Sequence, residues 1–479
     1  MTYHRPRALI GGRFIDTTAE KPVTVINPCN EEVLGTAPAC GPAEVAEALC
    51  HAREALGRWS GLHGWERAKY LRAIARRMEA RRDDLARMLS LEIGRPISQS
   101  MGEVLAAIEQ FDWFAGEAER LFGETIPSRQ GGRLTAVPEP VGIVAAFTAW
   151  NFPINLMARK IAPALAAGCP VICRPSAQTP ATSTVLIECC VEAGLPAGVV
   201  QLLLGRAGEI TPLLMAAEEI RKISLTGSTE VGKALLAEAA NTVKRCSMEL
   251  GGHSPVVVCE DADADLAATQ CALFKYRNAG QVCIAPNRFY VHESLAERFA
   301  EKMVEAARAL KLGDSLDETS TMGPLTLPQQ RDKVEELIDD ARRKGAAILT
   351  GGTRPAHLNK GYYLEPTVLM DVPPDARILQ EEPFGPVAPI VRFREFDDAI
   401  AMANSTPFGL AAYGFTRSQA RGEAMSRRLR AGMVGINTFL VAHAEAPFGG
   451  VGHSGMGREG GRQAILDYTD VKLTHFAWS

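Results

Sequence analysis

The sequence lacks the features that mark several classes of protein. No stretch approaches the roughly 20 apolar residues that a helix needs to cross a membrane. Residues 8–15 lack the apolar core of a secretory signal. The nine histidines show no metal-ligand spacing, and the eleven cysteines form no CxxC pair. A net charge of -4 is not that of a nucleic-acid-binding protein. We therefore expect no membrane, nucleic-acid or metal partner.

The composition is that of a large globular enzyme. The chain has 479 residues, of which 46% are hydrophobic and 23% are charged. This length accommodates two or three domains. The odd number of cysteines, without a disulfide-like spacing, suits a reducing compartment. The expected location is the cytoplasm.

Alternating strand and helix patterns predict the fold. Apolar residues recur at helical spacing over residues 43–121, and short β-branched runs then alternate with helices. A second alternating set begins at Pro255. Repeated strand–helix units predict parallel sheets covered on both faces. We expect an α/β protein with a first domain over residues 1–122 and 142–249 and a second over residues 250–448.

Two segments fit neither domain. Residues 123–141 are rich in Gly, Pro and Arg, and residues 464–479 contain an extended pattern. An exposed strand edge invites pairing with another chain. These segments therefore predict an arm that pairs with another subunit, in a homodimer or homotetramer. The alternative is an excursion loop and a loosely held terminus.

Three residues supply the parts of a covalent catalyst. Cys283 offers a thiol nucleophile, Glu249 a carboxylate base, and Asn151 an amide that can donate to an oxyanion. A free thiol has a pKa of about 8.5, so its attack needs a local device that favours the thiolate. The alternatives are a buried core cysteine, a glutamate in a surface ion pair, and an amide that caps the turn before Pro153.

A glycine-containing turn is the candidate phosphate site. Residues 227–232 follow a strand pattern and open a helix, where backbone N–H groups can hold a diphosphate. Their GxxxxG spacing meets neither the GxGxxG fingerprint nor the Walker loop. Taken alone, the segment is as well explained by an ordinary strand-to-helix turn.

These motifs, together with residues 382–386 and 447–450, resemble the aldehyde dehydrogenase superfamily over nearly the whole chain. Within it, the sequence is most similar to semialdehyde dehydrogenases that oxidise succinate semialdehyde and its relatives. The resemblance implies a Rossmann-like NAD(P)-binding domain, an α/β catalytic domain and a small β oligomerisation arm. It also implies a thiohemiacetal on Cys283, its oxidation to a thioester, and hydrolysis with Glu249 as the base. Asn151 and the Cys283 N–H would bind the oxyanion. Members that transfer the acyl group to coenzyme A generally lack this glutamate, so a free acid is the expected product.

The resemblance assigns ten residues to the cofactor, with Lys160 near its adenosine end and Glu382 on the nicotinamide ribose. They are Trp150, Lys160, Arg174, Ser176, Ala177, Gly227, Ser228, Leu250, Glu382 and Phe384. Many relatives read Lys-Pro-Ser-Glu where this chain reads Arg174-Pro-Ser-Ala177. A carboxylate at the last position would repel a 2′-phosphate, whereas an arginine can bind one. NADP, or either NADP or NAD, is therefore expected.

For the substrate, the resemblance points to Arg159 and Arg277. In semialdehyde-specific relatives, arginines at these positions grip the far carboxylate of the substrate, and two guanidinium groups suit a carboxylate well. The alternative is that both arginines are partners in structural ion pairs.

One departure bears on the same pocket. The serine that completes the carboxylate site in close relatives is replaced by Ala442 or His443. Phe439, His443 and Trp113 would then shape a site for a longer, bulkier or oxo-substituted semialdehyde. A dehydrogenase for uncharged aldehydes, a non-catalytic protein that retains the fold, and a thiol hydrolase are the alternative functions.

Overall fold

The computed structural model describes residues 3–477, and two large sheets with packed helices account for most of them. The helices are α1 (Pro42–Ser60), α2 (Gly64–Ala80), α3 (Arg82–Ile93), α4 (Ile97–Glu119), α5 (Pro153–Ala167), α6 (Pro180–Glu192), α7 (Ala207–Ala216), α8 (Thr229–Ala239), α9 (Ala264–Tyr276), α10 (Glu293–Ala309), α11 (Pro328–Arg343), α12 (Phe396–Ala403), α13 (Gln419–Arg428) and α14 (Gly461–Leu466). Across residues 3–477, no helix combines the length and the apolar character that crossing a bilayer requires.

The strands follow the alternation that the sequence predicts, with several short additions. They are β1 (Ala8–Ile10), β2 (Arg13–Ile15), β3 (Val23–Ile26), β4 (Val33–Ala37), β5 (Glu124–Ile126), β6 (Arg133–Pro140), β7 (Ile143–Phe147), β8 (Val171–Arg174), β9 (Val200–Leu202), β10 (Ile220–Thr226), β11 (Arg245–Glu249), β12 (Pro255–Val258), β13 (Arg288–His292), β14 (Ala347–Thr350), β15 (Thr367–Met370), β16 (Val387–Phe393), β17 (Ala411–Phe415), β18 (Met433–Ile436), β19 (Gly455–Met456) and β20 (Thr469–Phe476).

The first sheet has the order β19-β11-β10-β7-β8-β9-β1-β2. Its five central strands are parallel and largely buried, as expected for strands that are covered on both faces. Strands β1, β2 and β19 add antiparallel edges that the sequence pattern did not predict. Each has only two or three residues, which is too short to show a period.

Parallel pairing brings the carboxyl ends of the central strands to one edge of this sheet. Phe147 pairs with Leu225 and with Arg174, and Thr226 pairs with Glu249. The segments that leave these strands therefore emerge side by side. In open sheets of this kind, ligands bind beside the carboxyl ends of the strands.

The second sheet has the order β14-β15-β16-β13-β12-β17-β18, and all of its pairs except β14–β15 are parallel. Helix α9 packs against α10 on this sheet, and the turn that follows α9 leads to Cys283. The helical region expected over residues 43–121 forms α1 to α4, and α4 packs against α5 of the first sheet. The exact domain limits remain predictions.

The two segments outside the sheets form a third, three-stranded sheet, β20-β6-β5. Strand β20 pairs with β6 over its whole length, from Thr469 opposite Pro140 to Phe476 opposite Arg133. The two segments therefore pair with each other within one chain, and the expectation that they also pair with another subunit stays a prediction. The alternative of an unstructured loop and terminus is wrong. Residues 478–479 of the expected arm lie outside the described residues.

Candidate active site

Cys283 lies where two cavities meet. The first cavity, of about 300 Å³, is bounded largely by aromatic and aliphatic side chains and by Arg159 and Arg277. The second, of about 560 Å³, lies at the carboxyl edge of the first sheet and includes Asn151 and Glu249. Cys283 lines both cavities. A molecule in either cavity can therefore reach the same sulfur atom.

A strained turn presents this cysteine. After α9 ends at Tyr276, Asn278 and Ala279 both adopt φ of 51°, in the left-handed region that non-glycine residues seldom enter. Such a conformation costs on the order of 1–3 kcal/mol per residue and persists only where neighbours fix it. Gly280 follows with φ of 76°, and a Cβ there would lie 2.1 Å from the carbonyl oxygen of Gly385. The turn thus fits closely against the opposite wall.

Asn151 follows β7 and is 4% exposed. Its Nδ2 donates to the carbonyl oxygen of Gln281, two residues before the nucleophile, at 3.2 Å. A carboxamide nitrogen carries two hydrogens, so the second N–H is free for an oxygen atom at the cysteine. The side chain is held at the turn and retains a donor.

Glu249 ends β11 and is only 3% exposed. Neither carboxylate oxygen has a hydrogen-bond partner among the described residues. Burial, reinforced by the negative charge of Glu459, raises the pKa of Glu249 to about 7. A carboxyl group with this pKa exchanges protons near neutral pH, which suits a general base.

Burial and the adjacent carboxyl groups of Glu249 and Glu382 raise the pKa of the Cys283 thiol well above its usual value. The positive charge of Arg159 acts in the opposite direction. The thiol is therefore protonated at neutral pH and requires a base to become a nucleophile.

The second cavity contains six of the ten residues assigned to the cofactor. These are Trp150, Gly227, Ser228, Leu250, Glu382 and Phe384. Gly227 and Ser228 lie between β10 and α8, as the sequence predicts, and Ser228 caps α8 by accepting from the N–H of Val231. The buried Thr226 Oγ1 has no partner among the described residues. Helix N–H groups with unpaired polar atoms nearby fit an anionic diphosphate.

Glu382 lies on the far wall of this cavity. The N–H of Gly252 donates to its Oε1 at 3.4 Å, and burial raises the pKa of Glu382 to about 8. Trp150 and Phe384 form an edge-to-face pair with ring centroids 5.7 Å apart. The rings and the carboxyl group together provide flat apolar surface and a hydrogen-bonding group.

Arg174, Ser176 and Ala177 lie at the carboxyl end of β8, beside β7, but do not line the second cavity. The N–H of Thr148 donates to the carbonyl oxygen of Arg174 at 3.4 Å. The Arg174 Nε is buried without a partner among the described residues. This leaves a guanidinium group available next to the strand end.

The assignment of Lys160 to the cofactor is corrected. Lys160 has no exposed surface, and its Nζ donates to Oε1 of Glu459 in a buried ion pair. Helix α5 points this residue into the interior, where a charge must be paired. Lys160 therefore has no access to a ligand in the second cavity, and its positive charge acts instead on Glu249, whose pKa it lowers.

Arg159 and Arg277 both reach the first cavity. The Arg159 guanidinium lies over the ring of Phe448 at 4.6 Å, and that of Arg277 over the ring of Phe152 at 5.3 Å. Neither arginine makes a hydrogen bond or an ion pair within residues 3–477, and Arg159 Nη1 is buried. The alternative of structural ion pairs is therefore wrong.

Of the two residues proposed for the replaced serine, the structure places Ala442 at the first cavity and not His443. Ala442 lines the first cavity, whereas His443 is exposed and its Nε2 lies 3.1 Å from the carbonyl oxygen of Leu440. Phe439 lines the cavity as expected. Trp113 does not, because it packs with the core of the first sheet, under the guanidinium group of Arg120.

Sequence reasoning missed Arg95 and Glu103, which also line the first cavity. They are buried, form an ion pair, and bond to the segments that carry Asn151 and Cys283. No local motif marks them, because the segments of the site to which they bond lie between 51 and 183 residues away. Within residues 3–477, no three His, Cys, Asp or Glu side chains cluster in a way that could hold a metal ion.

Comparison with known proteins agrees with this geometry. A profile described as "Aldehyde dehydrogenase family" matches residues 14–474. The chain is 43% identical to a glutarate-semialdehyde dehydrogenase of Pseudomonas putida and to an NADP(+) succinate-semialdehyde dehydrogenase of Escherichia coli, covering 98% of this chain and 97% of each relative. A crystal structure of an E. coli NADP-dependent enzyme, 42% identical, superposes with a TM-score of 0.97 over 99% of both chains. The expected family and fold class are confirmed.

The corrected position of Lys160 generates a stability prediction. The Lys160→Met substitution should lower the free energy of unfolding by about 3–5 kcal/mol, because it leaves the Glu459 carboxylate buried without its partner. Replacing both residues, Lys160→Met with Glu459→Leu, should recover most of that loss. Urea unfolding followed by fluorescence measures both. The exposed pair Lys472–Glu139 provides the control, and Lys472→Met should cost at most about 1 kcal/mol.

Proposed function

The chain belongs to the aldehyde dehydrogenase family, and we propose that it oxidises a carboxylate-bearing semialdehyde, such as succinate semialdehyde, to the dicarboxylic acid. Two relatives at 43% identity carry the names of succinate- and glutarate-semialdehyde dehydrogenases, which supports this substrate class. A member of this family is an oxidoreductase that uses NADP or NAD. The interpretation as a non-catalytic protein that keeps the fold is therefore set aside.

The observation that carries the proposal is the contrast among the buried arginines. Arg67 and Arg288 donate to main-chain carbonyl oxygens at 2.9 Å or less, and Arg95 pairs with a carboxylate. Arg159 is equally buried but makes no hydrogen bond or ion pair within residues 3–477, and Arg277, which is exposed but lines the same cavity, makes none either. An uncompensated guanidinium in a desolvated site is costly unless an anion completes it. A carboxylate on the substrate is such an anion.

In the proposed reaction, Cys283 attacks the aldehyde carbon from the junction of the two cavities. Asn151 Nδ2 and the Cys283 N–H donate to the oxygen that becomes negative in the thiohemiacetal. When bound, the nicotinamide supplies the two-electron acceptor for conversion to the thioester. Glu249 then removes a proton from the water that attacks the thioester carbonyl, and the bond to sulfur breaks as the acid leaves.

For the cofactor, we propose a preference for NADP. The absence of a carboxylate at Ala177 removes a repulsive charge, and Arg174 offers unpaired donors beside the strand end. The E. coli relative and structural neighbour are both described as NADP enzymes, in keeping with this preference. Comparing kcat/KM for the two cofactors tests it, and a clear preference for NAD would contradict it.

For the assembly, we propose a homodimer or homotetramer joined through β20. In the order β20-β6-β5, the outer edge of β20 has no partner strand among the described residues. Val471 and Leu473 on this strand are 72% and 62% exposed. Exposed apolar residues along a free strand edge are characteristic of a contact surface.

The unpaired state of all eleven cysteines supports a cytoplasmic location.

The arm proposal predicts a change in mass. The double substitution Val471→Asp and Leu473→Asp should lower the mass measured by light scattering toward that of one chain, because charge at a buried strand contact is unfavourable. The Val243→Asp variant, at a residue that is 82% exposed, serves as the control and should retain the assembly. A wild-type protein that is monomeric at micromolar concentration would contradict the proposal.

The role of Glu249 predicts a change in the rate-limiting step. The Glu249→Gln variant should release about one reduced cofactor per active site in a burst that is slower than in the wild type, because Glu249 also accepts the Cys283 proton, and should then turn over about 10²- to 10⁴-fold more slowly than the wild type. Only the carboxylate form accepts a proton, so wild-type deacylation should rise with pH through about 7, the raised pKa of Glu249. Stopped-flow absorbance at a series of pH values measures both effects.

The rate of deacylation in the Glu249→Gln variant should not rise with pH in this range. Glu301→Gln, on an exposed part of α10 outside both cavities, is the matched control and should behave as the wild type. If Glu249→Gln keeps the wild-type steady-state rate and shows no burst, another group acts as the base.

The proposed substrate class predicts discrimination by charge. Succinate semialdehyde and butanal share a four-carbon chain and differ in the terminal carboxylate. The wild type should favour the semialdehyde by at least about 100-fold in kcat/KM, or ~2.7 kcal/mol. The Arg277→Ala variant should lose most of this preference, and Arg277→Lys should keep part of it. Arg427→Ala, on the exposed face of α13, is the control. Equal rates with both aldehydes would favour the alternative of an uncharged substrate.

A further inference from the structure

Arg95 and Glu103 form a buried ion pair that takes no direct part in the proposed chemistry. We propose that this pair positions the oxyanion donor Asn151 and the turn of Cys283 relative to each other. Arg95 lies between α3 and α4, and Glu103 lies in α4, so both project from outside the two sheets. The inference rests on the proposed roles of Asn151 and Cys283.

Arg95 bonds to both halves of the site at once. Its Nη2 donates to the main-chain carbonyl oxygen of Asn151, and its Nε donates to Oδ1 of Asn278 at 3.1 Å. Its Nη1 donates to Glu103. The rigid planar guanidinium therefore fixes the distance between the segment after β7 and the turn before Cys283.

Asn278 closes a ring of bonds with the same partners. Its Nδ2 donates to the carbonyl oxygen of Asn151 at 3.2 Å and to that of Gln281 at 3.1 Å. The carbonyl oxygen of Gln281 also accepts from Asn151 Nδ2. Asn278 is one of the two residues of the turn before Cys283 that adopt the left-handed conformation. These hydrogen bonds hold it there. Loss of Arg95 would free the orientation of both the donor and the turn.

Glu103 fixes Arg95 and the start of α5 together. Besides the bond from Arg95, its Oε1 accepts from the N–H groups of Ile154 and Asn155, at 2.8 and 3.1 Å. These N–H groups belong to the first turn of α5, where a carboxylate is favoured. Since α5 begins just after Asn151, Glu103 anchors the oxyanion donor from its other side.

A purely structural ion pair would stabilise the fold without affecting the chemical step. A positioning pair makes a different claim, because its effect passes through Asn151. Displacing a reacting group by about 1 Å can cost about 100-fold in rate even when the changed residue is distant from the chemistry. If the ion pair is purely structural, the effects of substitutions at Arg95 and Asn151 on the rate should multiply. If the pair acts through Asn151, the second substitution should add little to the effect of the first.

The test is a double-mutant cycle on the full-length enzyme. The variants are Arg95→Lys, Asn151→Ala and both together, and the measured quantity is the pre-steady-state rate of cofactor reduction with saturating NADP and succinate semialdehyde. Arg95→Lys should slow this step by about 10- to 100-fold with little change in the KM for either substrate. Asn151→Ala should slow it by about 10²- to 10³-fold. The rate of cofactor reduction in the double variant should be within about threefold of the rate in Asn151→Ala alone.

A further variant and a control make the result decisive. Glu103→Gln keeps the shape of the side chain and should show the same non-additivity, and it replaces Arg95→Lys if that protein does not fold. The ion pair Arg81–Glu188 lies away from both cavities, and Glu188→Gln should lower the melting temperature without slowing the step.

Multiplicative effects of Arg95→Lys and Asn151→Ala, or a loss of melting temperature without a slower step, would overturn the positioning role. A wild-type enzyme that reduces the cofactor with neither succinate semialdehyde nor butanal would instead contradict the proposed function. The two failures are therefore distinguishable.

Discussion

The structure depends on compensating the charged side chains that it buries around two largely parallel sheets. A buried charge is costly unless an opposite charge or hydrogen bonds compensate it. Lys160 and Glu459 meet this requirement as one pair, and Arg95 and Glu103 meet it as another. Lys160 and Glu459 are 299 residues apart, whereas Arg95 and Glu103 are neighbours in the chain and together bond to segments 51 to 183 residues away. Glu249 and Arg159 are buried without such compensation within residues 3–477, and each lines a cavity that Cys283 also lines.

The same burial constrains how Cys283 becomes reactive. A thiolate beside an ionised Glu249 would place two negative charges in one desolvated site. The negative charge of each group disfavours ionisation of the other. Transfer of the proton from Cys283 to Glu249 adds no net charge to the pair, so it is the favoured route to the thiolate. Glu249 must then lose that proton before it can act as a base toward water. Its pKa of about 7 makes both states accessible near neutral pH.

The fold and the catalytic centre were largely predictable from the sequence, because their signals are local. Strand periodicity gave the central strands, and the turn from Gly227 was recognised by its place between a strand and a helix. The assignment of Lys160 failed because its partner, Glu459, is 299 residues away. Arg95 was missed for the same reason. Which of Ala442 and His443 lines the cavity depends on the path of a loop. Loops lack the hydrophobic periodicity from which the facing of a side chain can be predicted.

Ala442 determines what kind of selectivity the first cavity can have. A carboxylate accepts hydrogen bonds at about four positions, and two guanidinium groups offer enough donors to fill them. The methyl group of Ala442 adds no donor, so in the proposed function Arg159 and Arg277 are the residues that would recognise the anion. An uncharged aldehyde would leave both arginines uncompensated. A different chain length changes only apolar contacts, at about 1–3 kcal/mol per methylene. The proposed function therefore predicts that the cavity discriminates at least as strongly against the absence of charge as against a change of one methylene in chain length.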